Sequence, residues 1–300
     1  MRLSLPATTS SEIAKAMVRA RIGAGSPAMD MALTLVVVTD DESVGEALKT
    51  AAVLSREHPS RIIGVVLGDG RRSPRLDATV RVGEDTAGES ILLRLSGPLT
   101  RHAETVLLPL LLPDSPVVVW WPGKPPTHPS EDPIGRLGLR RLTDAEATDS
   151  PVRTLKAIGR RYAPGDTDLS WTRLTPWRAL LAAALDQAGG RVTGGFVEAG
   201  AGNPAATLLV AWLEDRLAVP IARRRSETDQ IGEVVLHTDD GDVRIVRRDA
   251  SSCEFSVPGA AARTVPLGAR TLAELLAEDL RRLDADDIYA ATLTHLLEDS

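Results

Sequence analysis

At 300 residues, with 43% hydrophobic and 25% charged residues, the chain is long enough for two cores and too apolar for wholesale disorder. Its net charge of −6 argues against a nucleic-acid footprint, since short arginine pairs such as Arg71-Arg72 and Arg281-Arg282 sit among acidic residues. A single cysteine, Cys253, excludes an intramolecular disulfide and a cysteine-cage metal site.

The N-terminal stretch MRLSLPATTSSEIAKAM has no apolar run long enough for a signal-peptide core. The most apolar window, 106–112, is short and broken by Pro109, so no membrane segment is expected and the chain reads as cytoplasmic. Thr9-Ser10-Ser11-Glu12 fits a capping box ahead of apolar positions Ile13, Ala16, Met17 and Ala20, and Gly23-Ala24-Gly25 would stop that helix. An apolar strand at 33–38, a helix capped by Asp40 or Asp41 and running to Arg56, and a second apolar strand at 62–67 form a βαβ pattern. Alternating segments follow at 79–82 and 90–95, then a helical stretch from Gly97-Pro98 to Leu108 and an apolar strand, Val117–Trp121.

Residues 145–168 mix charge, Pro and Gly around a short helical patch at 152–161 and make the best boundary. Thr175-Pro176 has the form of an N-cap with Pro at the first helical position, leading into the stripe Trp177, Leu180, Leu181, Ala184 and Leu185. Next come a strand at 192–198, a helix at Pro204–Leu217 and a strand at 219–223. Strands at 234–238, 243–246 and 253–257 form a meander whose first turn, Asp239-Asp240-Gly241-Asp242, has hairpin chemistry. Helices at 272–283 and 288–297 close the chain. The expected fold is two α/β domains: 1–148, a mixed sheet covered by helices; 149–167, a linker; and 168–300, with the meander and the C-terminal helices.

Reactive constellations are scarce. Gly200-Ala201-Gly202-Asn203-Pro204-Ala205 matches G-x-G-x-x-A between a strand and a helix, and Arg223-Arg224-Arg225 ends the next strand. In a dinucleotide unit those glycines would admit a pyrophosphate and the arginines a 2′-phosphate. The plainer account is an Asn203 N-cap, Pro204 in the first turn and a glycine-built connection. There is no P-loop and no nucleophile elbow, and the five histidines are scattered with no i,i+4 pair. His128 beside Glu131 and Asp132 lies in a Pro-rich loop, an unfavourable place for a general base. No enzyme, cofactor or metal is expected, with an NADP- or sugar-phosphate-binding regulator using the 200–205 turn as the alternative.

Five Trp beside two Tyr and two Phe make the tryptophan positions informative. Trp120 and Trp121 end a strand that runs into a loop stiffened by Pro122, Pro125, Pro126, Pro129 and Pro133, able to present a fixed surface at low ordering cost. Adjacent strand residues face opposite sides, so Trp120 and Trp121 cannot share one core face. Trp177 belongs to a core stripe, whereas Trp171 and Arg173 precede that helix and are freer to face outward. The candidate partner-contact residues are Trp120, Trp121, Pro122, Pro125, Pro126, Asp132, Trp171 and Arg173, Trp and Arg being favoured interface anchors. The competing account is that the tryptophans pack the two domains together.

PDSPVVVWWPGKPP, DPIGRLGLRRLTDA and DLSWTRLTPWR resemble the hallmark stretches of the OpcA family, the glucose-6-phosphate dehydrogenase assembly proteins. LTLVVVT, ESILLRLSGPLTRHAETVLLPLLLPDSP and PAATLLVAWLEDRL resemble it in the same order, so the likeness spans most of the chain from about residue 30. The resemblance implies a cytoplasmic factor that binds glucose-6-phosphate dehydrogenase and favours its active oligomer. It would thereby support the oxidative pentose phosphate pathway and NADPH supply. The family offers no catalytic residues to carry over.

Overall fold

A computed structural model describes residues 1–23, 31–83 and 89–298. In chain order the first half carries β1 (Arg2–Leu5), α1 (Ser10–Gly23), β2 (Leu33–Thr39), α2 (Val44–Leu54), β3 (Ser60–Leu67), β4 (Arg75–Val82), β5 (Glu89–Ser96), α3 (Ala103–Leu107), β6 (Val117–Trp121) and β7 (Arg140–Thr143). The rest carries α4 (Pro151–Gly159), β8 (Asp166–Asp168), α5 (Leu169–Thr172), α6 (Thr175–Ala188), β9 (Val192–Ala199), α7 (Pro204–Leu217), β10 (Ile221–Arg225), β11 (Ile231–Thr238), β12 (Gly241–Arg247), β13 (Ser252–Ser256), β14 (Arg263–Pro266), α8 (Leu272–Asp279) and α9 (Asp287–Glu298). Two compact units form, one from Met1–Asp144, Arg161–Thr167 and Leu272–Ala285, the other from Ala145–Arg160, Asp168–Thr271 and Asp286–Ser300.

The first unit is built on an eight-stranded mixed sheet ordered β1-β4-β5-β3-β2-β6-β7-β8. β5, β3, β2, β6 and β7 run parallel, while β4 pairs antiparallel with β5 and with β1. Numbered along the chain, the stretch β5-β3-β2-β6-β7-β8 has the order 3-2-1-4-5-6 of a doubly wound dinucleotide-fold sheet. Every residue from Leu33 to Val38 is buried because helices cover both faces of β2. Val36, Val38, Ile63, Val65, Leu93, Val119 and Trp121 meet α1 and α3 on one face. On the other, α2 lies over β2 and β3, and α8 packs on α2. The Thr9–Glu12 capping box forms reciprocally, Thr9 N donating to Glu12 Oε2 at 3.0 Å and Glu12 N to Thr9 Oγ1 at 3.3 Å.

The second unit is a six-stranded sheet, β10-β9-β11-β12-β13-β14, whose last four strands are the expected meander. The β11–β12 hairpin turns at Asp239-Asp240, with Thr238 opposite Gly241 and Gly241 at φ +128°. α7 packs on β9, β10, α4, α5 and α9 at once, which is why its apolar residues are not confined to one stripe. Asn203 caps it, Oδ1 accepting from Ala206 N at 2.7 Å, as its sequence suggests.

Several elements differ from expectation. The residues that read as a linker, 149–167, carry α4 and most of β8. The two C-terminal helices separate: α8 belongs to the first unit and α9 to the second. Asp40 does not cap α2 directly; its Oδ1 accepts from Ser43 N at 2.7 Å and forms the turn before Val44. Thr175 is the first residue of α6 and not its cap, because α5 already turns the chain behind an Asp168 cap, Oδ1 accepting from Ser170 N at 3.0 Å. The short strands β1, β7, β8 and β14 gave no periodic signal, being only three or four residues long. Ala24 and Gly25 of the expected helix stop lie outside the described residues.

Candidate functional site

In the first unit the chain steps outward from β2 through β3 to β5, then returns to the other side of β2 with β6. The carboxyl ends of β2 and β6 therefore flank a topological switch point, where doubly wound sheets leave a crevice. A cleft of roughly 410 Å³ lies there, lined by Val38, Thr39, Asp40, Leu67 and Trp121 at the strand ends and by Gly123, Lys124, Pro125, Pro126, Asp132 and Ile134 of the following loop.

That loop is held by its own short-range bonds. Asp132 Oδ1 accepts from Ile134 N at 2.9 Å and from Gly135 N at 3.0 Å, and Asp132 N donates to the His128 carbonyl. His128 Nδ1 meets Glu131 Oε2 at 3.0 Å, a local exposed contact with no nucleophile beside it. Gly135 is a steric necessity: a Cβ there would lie 1.8 Å from the Pro129 carbonyl oxygen and 3.2 Å from the Trp121 ring. Gly135→Ala is expected to cost about 2 kcal/mol or more by forcing the loop off Trp121. A denaturant midpoint equal to that of the parent chain would refute this.

The strand alternation resolves the two neighbouring tryptophans. Trp121 packs with the α1-side core at 4% exposure, and Trp120, on the opposite face, is 0% exposed. Neither offers surface to a partner, which corrects their candidacy. Pro122, Pro125, Pro126 and Asp132 are half-buried and Lys124 is exposed, so the loop keeps the accessible part of the set.

Trp171 is also buried, at 2% exposure, because it sits inside α5 and not ahead of the helix. Its indole Nε1 donates to Asp286 Oδ2 at 2.8 Å, the Arg178 guanidinium lies 3.7 Å from its ring centroid, and Tyr289 packs at 5.6 Å. Arg173 is half-buried and paired with Glu146 at 3.0 Å. Both are structural residues of the second unit. Trp177 is core, as its stripe implied.

The 200–205 turn is explained by packing. A Cβ on Gly200 would lie 2.8 Å from Asp229 Cα, so the glycine admits the neighbouring loop. Arg223 donates to the carbonyls of Val197, Ala199, Arg224 and Gly200, which occupy its guanidinium. Arg224 stacks on Phe196 at 3.5 Å. The shallow pocket here is lined by Arg225 but also by Glu227 and Asp229. At the switch-point crevice the first strand-to-helix turn reads Asp40-Asp41-Glu42-Ser43, without the glycines that let a pyrophosphate approach. Hydrogen bonds from Ser43 hold the Asp40 carboxyl below its usual range, so it stays ionised where a phosphate would lie.

Sequence reasoning missed the buried ion pairs. Arg61 binds Glu89 Oε2 at 2.9 Å, and Arg21 reaches Oε1 of the same carboxylate at 2.5 Å. Arg140 pairs with Asp279 and Arg141 with Asp166, all four inside the first unit. Burial pushes the Asp166 carboxyl up, while the Arg141 guanidinium pulls it back. Nothing in a single sequence marks Arg140 and Arg141, rather than another arginine pair, as the ones that find buried partners. Cys253 is buried on β13 and burial pushes its thiol up. It should resist thiol reagents in the native protein and react fully in denaturant; rapid native labelling would contradict this.

Among the described residues no group of three or more His, Cys, Asp or Glu is placed to hold a metal, and no helix is long and apolar enough to cross a membrane. No curated protein matches the chain significantly. Among solved structures it resembles an NAD binding oxidoreductase from Klebsiella pneumoniae (TM-score 0.43, 9% identity, 89% of this chain and 94% of that one). It also resembles an oxidoreductase domain protein from Kribbella flavida (TM-score 0.46, 10% identity, 89% and 96%). Superpositions this loose transfer nothing from those proteins to this chain. Two family models match in order: the glucose-6-phosphate dehydrogenase subunit N-terminal domain over residues 51–160 and the C-terminal domain of the same subunit over 164–293. Together they cover most of the chain, which belongs to the OpcA family of glucose-6-phosphate dehydrogenase assembly proteins.

Proposed function

We propose that the protein is a non-catalytic cytoplasmic factor that binds glucose-6-phosphate dehydrogenase and favours its active oligomer, so supporting the oxidative pentose phosphate pathway and NADPH supply. The observation that carries this reading is the ordered match of both family domains. The switch-point crevice supports it: its position is one where ligands dock, yet acidic residues replace the phosphate-binding glycines and a proline-stiffened loop walls it. We assign the dehydrogenase contact to that loop, with Lys124, Pro125 and Pro126 foremost. A factor of this kind shifts an assembly equilibrium only by its difference in affinity for the two states.

Size exclusion and activity assays of the chain mixed with the cognate dehydrogenase test this. The expected result is a larger complex with higher activity; no co-elution and unchanged kinetics at micromolar concentrations would reject it. Lys124→Glu combined with Pro125→Ser and Pro126→Ser should weaken the complex about tenfold or more, with an unchanged melting temperature. Full binding by that variant would remove the loop from the interface and leave the function standing.

A further inference from the structure

On the α2 side of the first unit's sheet, α2 lies over β2 and β3 and, among the described residues, leaves the β1 and β4 end open. Past α2 come β5, β4 and β1, whose outward side chains are Ser90, Leu92 and Arg94, then Asp77, Thr79 and Arg81, then Arg2 and Ser4. Antiparallel strands tolerate a solvated face, so exposure alone means little. The charge arrangement is what stands out. Arg2 and Arg81 are directly opposite in the β1–β4 register, a like-charge pair that antiparallel strands disfavour.

Two other side-chain cations here are paired. Arg94 pairs with Asp41 at 2.8 Å and Lys49 with Glu46 at 2.6 Å. The Glu89 carboxylate is taken by Arg61 and Arg21. Among the described residues Arg2 and Arg81 form no ion pair. Both line a concave pocket of about 480 Å³ whose floor is apolar, made by Leu48, Ile62 and Leu92, with Lys49 on the α2 side. A volume of that order suits a small molecule better than a flat protein surface does.

We infer that this pocket binds a small organic anion, a phosphate ester or carboxylate whose charged group bridges Arg2 and Arg81 while its body lies on Leu48, Ile62 and Leu92. Two guanidinium groups offer paired donors to one phosphate, and an anion between them converts repulsion into two charge-assisted contacts. The site is distinct from the switch-point crevice and independent of the dehydrogenase reading.

Calorimetry with phenyl phosphate, inorganic phosphate and phenol tests the inference on the full chain. Saturable binding of phenyl phosphate with Kd below about 1 mM, weaker binding of inorganic phosphate and none of phenol are expected. Arg2→Gln with Arg81→Gln should weaken phenyl phosphate about a hundredfold. In ligand-free, low-salt buffer the same variant should melt at an equal or higher temperature, because a repulsion has been removed. Absence of saturable binding, unchanged affinity in the double variant, or binding of a polyglutamate peptide in place of phenyl phosphate would overturn the assignment. A lowered melting temperature of the variant would overturn it equally, by making the pair structural.

Discussion

Arg140→Ala is expected to destabilise the protein by about 3–5 kcal/mol, because it removes the guanidinium that pairs with the buried Asp279 carboxylate. Arg140 Nη2 donates to Asp279 and, at 2.8 Å, to Thr167 Oγ1, while Nη1 donates to the Asp284 carbonyl at 3.2 Å. One side chain on β7 thus binds two segments distant in sequence, 161–167 and 272–285, that complete the first unit. α8 is also attached through buried Leu275, Leu276 and Ala277 and a His58 contact to the Ala277 carbonyl at 3.1 Å. Breaking these bonds to Asp279 and Asp284 should loosen that segment, seen as early hydrogen exchange over 272–285. Arg140→Met with Asp279→Leu should recover most of the loss, since an apolar pair of similar volume avoids the desolvation cost of two charges. An equilibrium loss below about 1 kcal/mol for Arg140→Ala would disprove the clamp.

Trp171→Ala is the second large effect, also about 3–5 kcal/mol, from an emptied core site and a lost hydrogen bond. Asp286 is the residue before α9; its Oδ1 accepts from Ile288 N at 3.0 Å and from Tyr289 N at 2.9 Å, while Oδ2 accepts from the Trp171 indole. The indole orients the carboxylate that caps α9, so packing and capping fail together. Trp171→Phe keeps most of the volume and should cost less, about 1–2 kcal/mol. Urea unfolding with simultaneous measurement of dehydrogenase binding separates this from an interface role. Normal stability with abolished binding in Trp171→Ala would show the residue to be a contact after all.

The hallmark strings resembling the family include the residues at the centre of both predictions. DPIGRLGLRRLTDA contains Gly135, Arg140 and Arg141, and DLSWTRLTPWR contains the Asp168 cap, Trp171 and Arg178. In this structure those side chains hold segments of their own unit together. Of the string PDSPVVVWWPGKPP, the strand residues are core and the accessible ones lie at its two ends, Pro113-Asp114 and the Gly-Lys-Pro-Pro stretch. Unusual residues in such strings are thus informative about both folding and binding, and burial separates the two uses.

The sequence by itself determined the α/β class, the βαβ opening, the meander, the Asn203 cap and the place of the Trp-Pro loop after an apolar strand. Those features rest on local periodicity and capping chemistry, which a few neighbouring residues specify. It also identified the family, because several rare strings recur in order. Only the tertiary structure decided which tryptophans are core, which arginines are buried and paired, and which unit each C-terminal helix joins. Each of those depends on partners 25 to 144 positions away, such as Asp166 for Arg141, Asp284 for Arg140 and Asp286 for Trp171. Burial follows from how layers stack, and no single segment encodes its own neighbours.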